Sequence, residues 1–247
     1  LYVAPKLNHE DKEVDFITDL PKKCFNGFRV KIRGDAELTQ DDYYVEFQTK
    51  DSEEFGEGSW VETNGWTSDA IPTGQSTGIS LDFDNTTMPI TITPHFTGTS
   101  ITSYTAELTG ETSASTEWAI RKAGDKITNP APSFVGKQIK DIFFYKNRLG
   151  LLTDSSVVFS EADEYFNFWR TTTQSLLDSA PIDVGISHTK VSLLKHAVPF
   201  QEKLMLFSAN TQFVLRGADL LTPKTVNISP VTEYEIEDTA QPFALSN

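Results

Sequence analysis

Apolar and polar residues alternate in short runs through the first half of the chain. Phe28, Val30 and Ile32 interleave with Arg29, Lys31 and Arg33, the period of two that a half-buried strand requires. Gly34 and Asp35 follow as a turn signal. Tyr43 to Phe47 reads as a second strand, aromatic and β-branched. Trp60 to Thr63 reads as a third, and Asn64–Gly65 after it predicts a tight hairpin turn, because that pair tolerates positive φ. Ile90 to Thr93 alternates again between Pro89 and Pro94. No stretch keeps a helical period over three turns. Single helical turns are expected at Asp163–Trp169, docked by its aromatic residues, and at Thr173–Asp178.

The second half contains an internal echo. Leu149, Leu151, Leu152 and Thr153, a polar gap, Val157 to Phe159, then Ala162–Asp163 form one copy. Leu204, Leu206, Phe207 and Ser208, a gap, Phe213 to Leu215, then Ala218–Asp219 form the other. Each copy predicts strand, tight turn, strand. A repeat of this length is at the long end for a propeller blade. Two readings stay open here, blades of a propeller and ordinary hairpins of a β-sandwich. Residues 67–117 are rich in Thr, Ser and Gly, and the apolar runs become denser after Pro130. That shift predicts a boundary near Trp118–Pro132, with residues 25–118 a small all-β module.

Composition narrows the function classes. The 247 residues carry a formal net charge of −14, which argues against gripping nucleic-acid phosphates or docking on an anionic membrane. The charge is uneven, −11 over residues 1–129 and −3 over residues 130–247. The single cysteine, Cys24, excludes an internal disulfide framework and a multi-cysteine zinc site. Between Lys23 and Phe25 it reads as a packed thiol. No apolar run reaches the length of a membrane span. Because the chain opens on Leu1, it reads as a fragment or a trimmed product.

Catalytic patterns are weak. Asp41–Asp42, Glu53–Glu54 and Asp163–Glu164 offer carboxylate pairs, but neighbours on a strand point to opposite faces. The histidines, His9, His95, His188 and His196, fit neither a hydrolytic triad nor a metal site. Asp82–Asn85 resembles part of a calcium loop yet lacks its glycine and distal glutamate, so it reads as a simple turn. Trp60, Trp66 and Trp118 are read as exposed aromatics able to stack on sugars, which keeps a carbohydrate-active or glycan-binding module open as the alternative function. No cofactor is implied.

A series of motifs then becomes specific. Trp118-Ala-Ile-Arg121-Lys-Ala-Gly124-Asp125 leads to Pro132-Ser-Phe134 and to Asn147-Arg148-Leu149-Gly150. Pro181-Ile-Asp183, Pro199-Phe200, Phe213 and Pro223-Lys224 follow in order. Upstream stand Asp19-Leu-Pro21, Gly27-Phe-Arg-Val30, Asp42-Tyr-Tyr-Val45 and Thr87-Met-Pro89. In this order the motifs resemble the tail nozzle proteins of short-tailed bacteriophages, also called tail tubular protein B. The resemblance implies an all-β fold with very little helix. It implies partial propeller-like blades at 119–247, an inserted β-sandwich or barrel-like domain at 25–118, and a lead-in at 1–24 that joins the body. It implies a structural virion protein in the tail, without enzymatic activity, and a fragment of a longer subunit. The subunit would form a ring of six copies against a tail adaptor and surround the channel for genome ejection. DNA would pass without tight binding, and no part of this segment would enter a membrane. Residues 25–118 become the candidate module for docking tail fibres. The motif residues are then structural, none catalytic. Two stretches depart from the family pattern, Glu53–Gly58 and residues 97–117, both longer than usual.

Overall fold

The computed structural model describes residues 13–34, 41–67, 78–109, 117–187, 193–237 and 240–244. The chain is nearly all β. Strands β1 (Glu13–Val14), β2 (Lys23–Phe25), β3 (Arg29–Ile32), β4 (Tyr43–Thr49) and β5 (Phe55–Thr63) form one sheet in the order β1-β3-β4-β5-β2. The alternation in β3 turns Val30 and Ile32 inward and leaves Arg29 and Lys31 half-buried. Leu20, Val30, Ile32 and Val45 make that sheet's small core, with Phe28, Tyr43 and Trp60 packed against it. Cys24 is fully buried and its thiol is pushed up by desolvation, as a packed thiol should be.

Strands β6 (Ile90–Thr97) and β7 (Ser100–Leu108) form a separate two-stranded ribbon. Strand β6 continues through Pro94 to Thr97, four residues beyond the alternating run read from sequence. A ribbon with only two strands has no inner strand, so a proline can sit with its missing N–H on an open edge.

The internal echo corresponds to two sheets with the same plan. Strands β8 (Asp141–Tyr145), β9 (Arg148–Leu152), β10 (Ser156–Phe159) and β11 (Ile182–Gly185) run as a four-stranded antiparallel meander. Strands β12 (Leu194–Phe200), β13 (Lys203–Ser208), β14 (Gln212–Arg216) and β15 (Asn227–Thr232) repeat it. The central turns match atom for atom. Thr153 donates from N to Ser156 O at 2.9 Å, and its Oγ1 accepts from Ser156 N at 3.1 Å. Ser208 and Thr211 repeat both bonds at 3.0 and 3.1 Å. Phe143, Leu152, Val157 and Phe159 of the first sheet share a core with Leu194, Leu204, Leu206, Phe213 and Leu215 of the second. Face-to-face four-stranded meanders are compatible with neighbouring propeller blades. The central strands β9 and β10 are buried on both faces, because Leu149, Leu151 and Val158 point the other way into an aromatic core with Phe83, Met88, Trp118, Phe134, Phe168 and Trp169.

Several local expectations are corrected. Asn64–Gly65 is not a hairpin turn: Asn64 forms a parallel bridge with Gly124 and is buried. Asp163–Trp169 is not helical; Asp163 takes φ +64° and Glu161 bridges Glu164 in a tight turn. Residues 173–175 are bends and Asp178 opens a turn, so no helical turn forms at Thr173–Asp178. The helical elements described are 3-10 turns at Ile17–Asp19 and Asn85–Thr87. His9 and His188 lie outside the described residues.

Candidate functional site

The Trp118–Asp125 motif lies where the five-stranded sheet meets the rest of the chain. Tyr44 points from β4 away from the sheet's small core and donates its hydroxyl to Asp125 Oδ2 at 2.7 Å. Asp125 Oδ1 accepts from Ile127 N at 2.8 Å and Thr128 N at 3.1 Å. Burial pushes the Asp125 carboxyl up, but these donors outweigh it and hold the group below the usual range. Burial pushes the Tyr44 hydroxyl up strongly, with Asp125 adding to it. Asn64 joins the same seam: Nδ2 donates to Arg121 O at 3.2 Å and Oδ1 accepts from Arg29 Nη1 at 2.8 Å. Gly124 takes φ +68°, and a Cβ there would press on Thr128 Oγ1 and on Asn129, so glycine is required on both counts. Trp118 packs on Phe166 with centroids 5.1 Å apart.

Glu62 clamps the same seam from the end of β5. Its carboxylate accepts from Thr173 N at 2.7 Å, Thr173 Oγ1 at 2.9 Å, Thr172 Oγ1 at 2.6 Å and Gln174 Nε2 at 3.1 Å. Sequence reasoning passed over this residue, because its partners lie about 110 positions away.

The second motif cluster ties the two meanders together. Lys146 and Asn147 both take positive φ, 48° and 57°, between paired Tyr145 and Arg148. That is the two-residue primed turn that matches strand twist. Arg148 is 1% exposed. Its Nη1 donates to Ser160 O at 2.7 Å, Ala180 O at 2.8 Å and Ser179 O at 3.1 Å. Its Nη2 reaches Asp178 O at 2.9 Å and Leu221 O at 3.3 Å. Desolvation lowers the guanidinium's pKa, with Glu161 and Asp163 opposing it. Gly150 leaves room for the Phe143 ring, which a Cβ would penetrate. Asp183 receives Ser133 N and Oγ, each at 2.6 Å. Lys224 Nζ lies 3.5 Å from Asp178 Oδ1, and Leu149, Phe134 and Phe213 are core residues. Pro132 is buried, Pro181 and Pro223 are half-buried, and Pro199 and Phe200 lie exposed at the end of β12. The motif residues thus fall at two structural junctions rather than converging on one cleft.

A cavity of about 610 Å³ opens beside the first junction. Asp82 and Asp84 are exposed at its lining, and Phe83, Met88, Phe134, Ile139, Arg121 and Trp169 line it too. Asp84 caps the Asn85–Thr87 turn, accepting from Thr86 N at 3.0 Å and Oγ1 at 2.6 Å. Those bonds hold its carboxyl low, the opposite of what a general acid needs. The aromatics assigned to sugar stacking are placed otherwise. Trp66 and Trp118 are buried, and half-buried Trp60 donates Nε1 to Pro21 O at 2.9 Å. An indole packed in a core has no free face for a sugar. Among the described residues no group of His, Cys, Asp and Glu side chains is placed to hold a metal ion, and no helix is long and apolar enough to cross a membrane.

Comparison with known proteins decides the family. The sequence matches the bacteriophage nozzle proteins over residues 4–247. The chain belongs to that family. This nozzle-family chain is 34% identical over 244 residues to the tail tubular protein gp12 of Escherichia phage T7. The alignment takes in 99% of the chain and 27% of that relative, so the chain spans about a quarter of the relative's length. Membership makes it a viral structural protein of the tail.

Proposed function

We propose that this chain is part of a nozzle ring subunit that walls the distal tail channel during genome ejection and helps to dock tail fibres. Family membership carries the first half of that reading, and the β6–β7 ribbon carries the second. Across the ribbon Ile90 pairs with Leu108, Ile92 with Ala106, Pro94 with Tyr104 and Phe96 with Ile101. Between them Thr91 pairs with Glu107, Thr93 with Thr105, His95 with Ser103 and Thr97 with Ser100. The ribbon therefore has one apolar and one polar face, and its apolar face is open: Phe96 is 60% and Tyr104 64% exposed. An exposed apolar patch on a tail protein fits a contact surface. The ribbon lies within residues 25–118, the proposed docking module, with 119–247 as the ring body and 1–24 as the lead-in.

The full-length subunit would form a ring of six copies against the tail adaptor and act without catalysis. Net charge of −14 suits a wall that DNA passes without tight binding, since phosphates meet few cations to hold them. The test is a six-fold map of the assembled tail together with capture of the fibre's N-terminal segment by the full-length ring. Fibre density against the ribbon, and capture lost in Ile92→Asp with Phe96→Asp, is the expected result. A full-length protein that stays monomeric, or a ring that binds fibre equally well with both substitutions, overturns the proposal.

A further inference from the structure

Strand β7 leaves one edge of the ribbon unpaired. Among the described residues the ribbon is a sheet of two strands, and β7 pairs with β6 alone. In an antiparallel pair, opposed residues alternate. One pair exchanges both backbone hydrogen bonds, and the next turns its N–H and C=O outward. The closing turn and a proline fix the phase here. Thr97 and Ser100 close a two-residue turn over Gly98 and Thr99 as a bonded pair. Past the bulge between His95 and Phe96, Pro94 faces Tyr104 at an outward position, where a residue without N–H removes no ladder bond. Ile92 with Ala106 and Ile90 with Leu108 are outward pairs in the same phase. The backbone groups of Tyr104, Ala106 and Leu108 therefore point out from β7.

The two edges are not equivalent. Pro94 takes a donor out of the β6 edge, a device by which native sheets block strand addition. β7 contains no proline, and Tyr104 and Ala106 are exposed on it. A third strand would also stabilise the ribbon, since a lone hairpin is marginal in water. The same edges decide the occupant. A ring contact is head-to-tail and would lay β7 of one copy on β6 of the next, which Pro94 interrupts. Pairing of β7 with β7 of a second copy is two-fold and closes a dimer, and the charge of −14 on each copy opposes it. A strand from a different chain meets neither obstacle. We infer that β7 accepts an extended segment of another protein as the third strand of the ribbon. The inference rests on the fibre-docking reading and names how the fibre's N-terminal segment is held. Its main chain bonds the outward groups of Tyr104, Ala106 and Leu108. Its alternate residues are apolar and extend the face made by Ile92 and Tyr104.

The experiment uses the full-length ring with the fibre's N-terminal segment as probe, read by capture and by residue-resolved hydrogen exchange. Ala106→Pro removes one outward N–H, keeps a small apolar side chain and leaves the bonds to β6 in place. Ala106→Val keeps the N–H and adds similar bulk. Capture weaker by about tenfold or more in Ala106→Pro than in Ala106→Val is expected. In the parent complex the amides of Tyr104 and Ala106 should slow about tenfold more than that of Ile92 on the opposite edge. This second readout needs no variant, so it stands even if the proline disturbs folding. Equal capture by the two variants, or Ile92 slowed as much as Ala106, overturns strand addition. Fibre docking through the apolar face then still stands if Ile92→Asp with Phe96→Asp abolishes capture. Tyr104 and Ala106 already protected in the ring without fibre would assign the edge to a second copy and overturn the inference too. No capture by the parent ring overturns the docking reading itself, and this inference with it.

Discussion

Arg148 shows how much one side chain can organise. Five carbonyls, drawn from residues 160, 178, 179, 180 and 221, converge on one guanidinium. They belong to β10's exit, the loop before β11 and the loop after β14, so one residue closes both meanders. Charge-assisted bonds of this kind are stronger than neutral ones, and each carbonyl left unpaired costs more than the bond contributed. Arg148→Met should therefore lower unfolding free energy by about 3 kcal/mol or more, measured by urea denaturation. Arg148→Lys should recover only part, since three ammonium donors cannot serve five acceptors. Asp125 makes a pH prediction. Its folded pKa lies below its unfolded one, so the native state holds fewer protons between the two values. Its stabilisation is present above the unfolded pKa, near 4 as an order of magnitude, and is lost as pH falls through the folded value. Asp125→Asn should flatten the acid limb of a stability-versus-pH curve. A limb as steep as the parent's would show that other carboxyls govern it.

At the scale of elements, the meanders and the ribbon behave differently. The meanders share a core through Phe143, Phe159, Leu204 and Phe213, and their amides should exchange slowly. The ribbon has two strands and no packed face over most of its length, and an isolated hairpin is marginal in water. Thr109 Oγ1 anchors its root, donating to Pro89 O at 3.1 Å and lying 2.8 Å from Thr91 Oγ1. Amides of residues 92–106 should exchange well ahead of those in β9 and β13 in the isolated chain, and become protected in the assembled tail. Ile92→Asp should change stability by no more than about 0.5 kcal/mol. A larger loss, measured by thermal unfolding, would mean that the face is already covered. The echo between meanders was legible in sequence because a hairpin is local: the Thr153–Ser156 turn and its copy at Ser208–Thr211 need only neighbouring residues. The Asn64–Gly65 turn was misread for the opposite reason. Its propensity is local, but Gly124 competes for the same backbone from 60 positions away.

For the whole molecule, charge is the controlling quantity. Copies of this chain, each bearing −14, repel one another electrostatically. Association between copies of this chain in the proposed ring should thus strengthen as salt rises from about 0.01 M, where screening reaches about 30 Å, to about 0.15 M, where it reaches about 8 Å. Sedimentation at the two salt concentrations checks this, and weaker assembly at the higher one would place attractive ion pairs, not apolar contact, at the interface. The seam between the five-stranded sheet and the meanders is polar, built from Glu62, Asn64, Tyr44 and Asp125. It is joined by the aromatic core that Phe83, Met88 and Trp118 share with Phe134 and Trp169.

Alternation of apolar and polar residues was enough to establish an all-β chain, its strand positions in β3, β4 and β9, and its repeated hairpin, because side-chain direction along a strand is set by the backbone itself. The order of motifs was enough for the family. Tertiary structure alone decided what those motifs do. Trp66 and Trp118 became core, Glu62 became a clamp and Arg148 became a hub. Each of those outcomes depends on groups tens of residues distant, and no local pattern of hydrophobicity records which distant carbonyl, ring or void a side chain will meet.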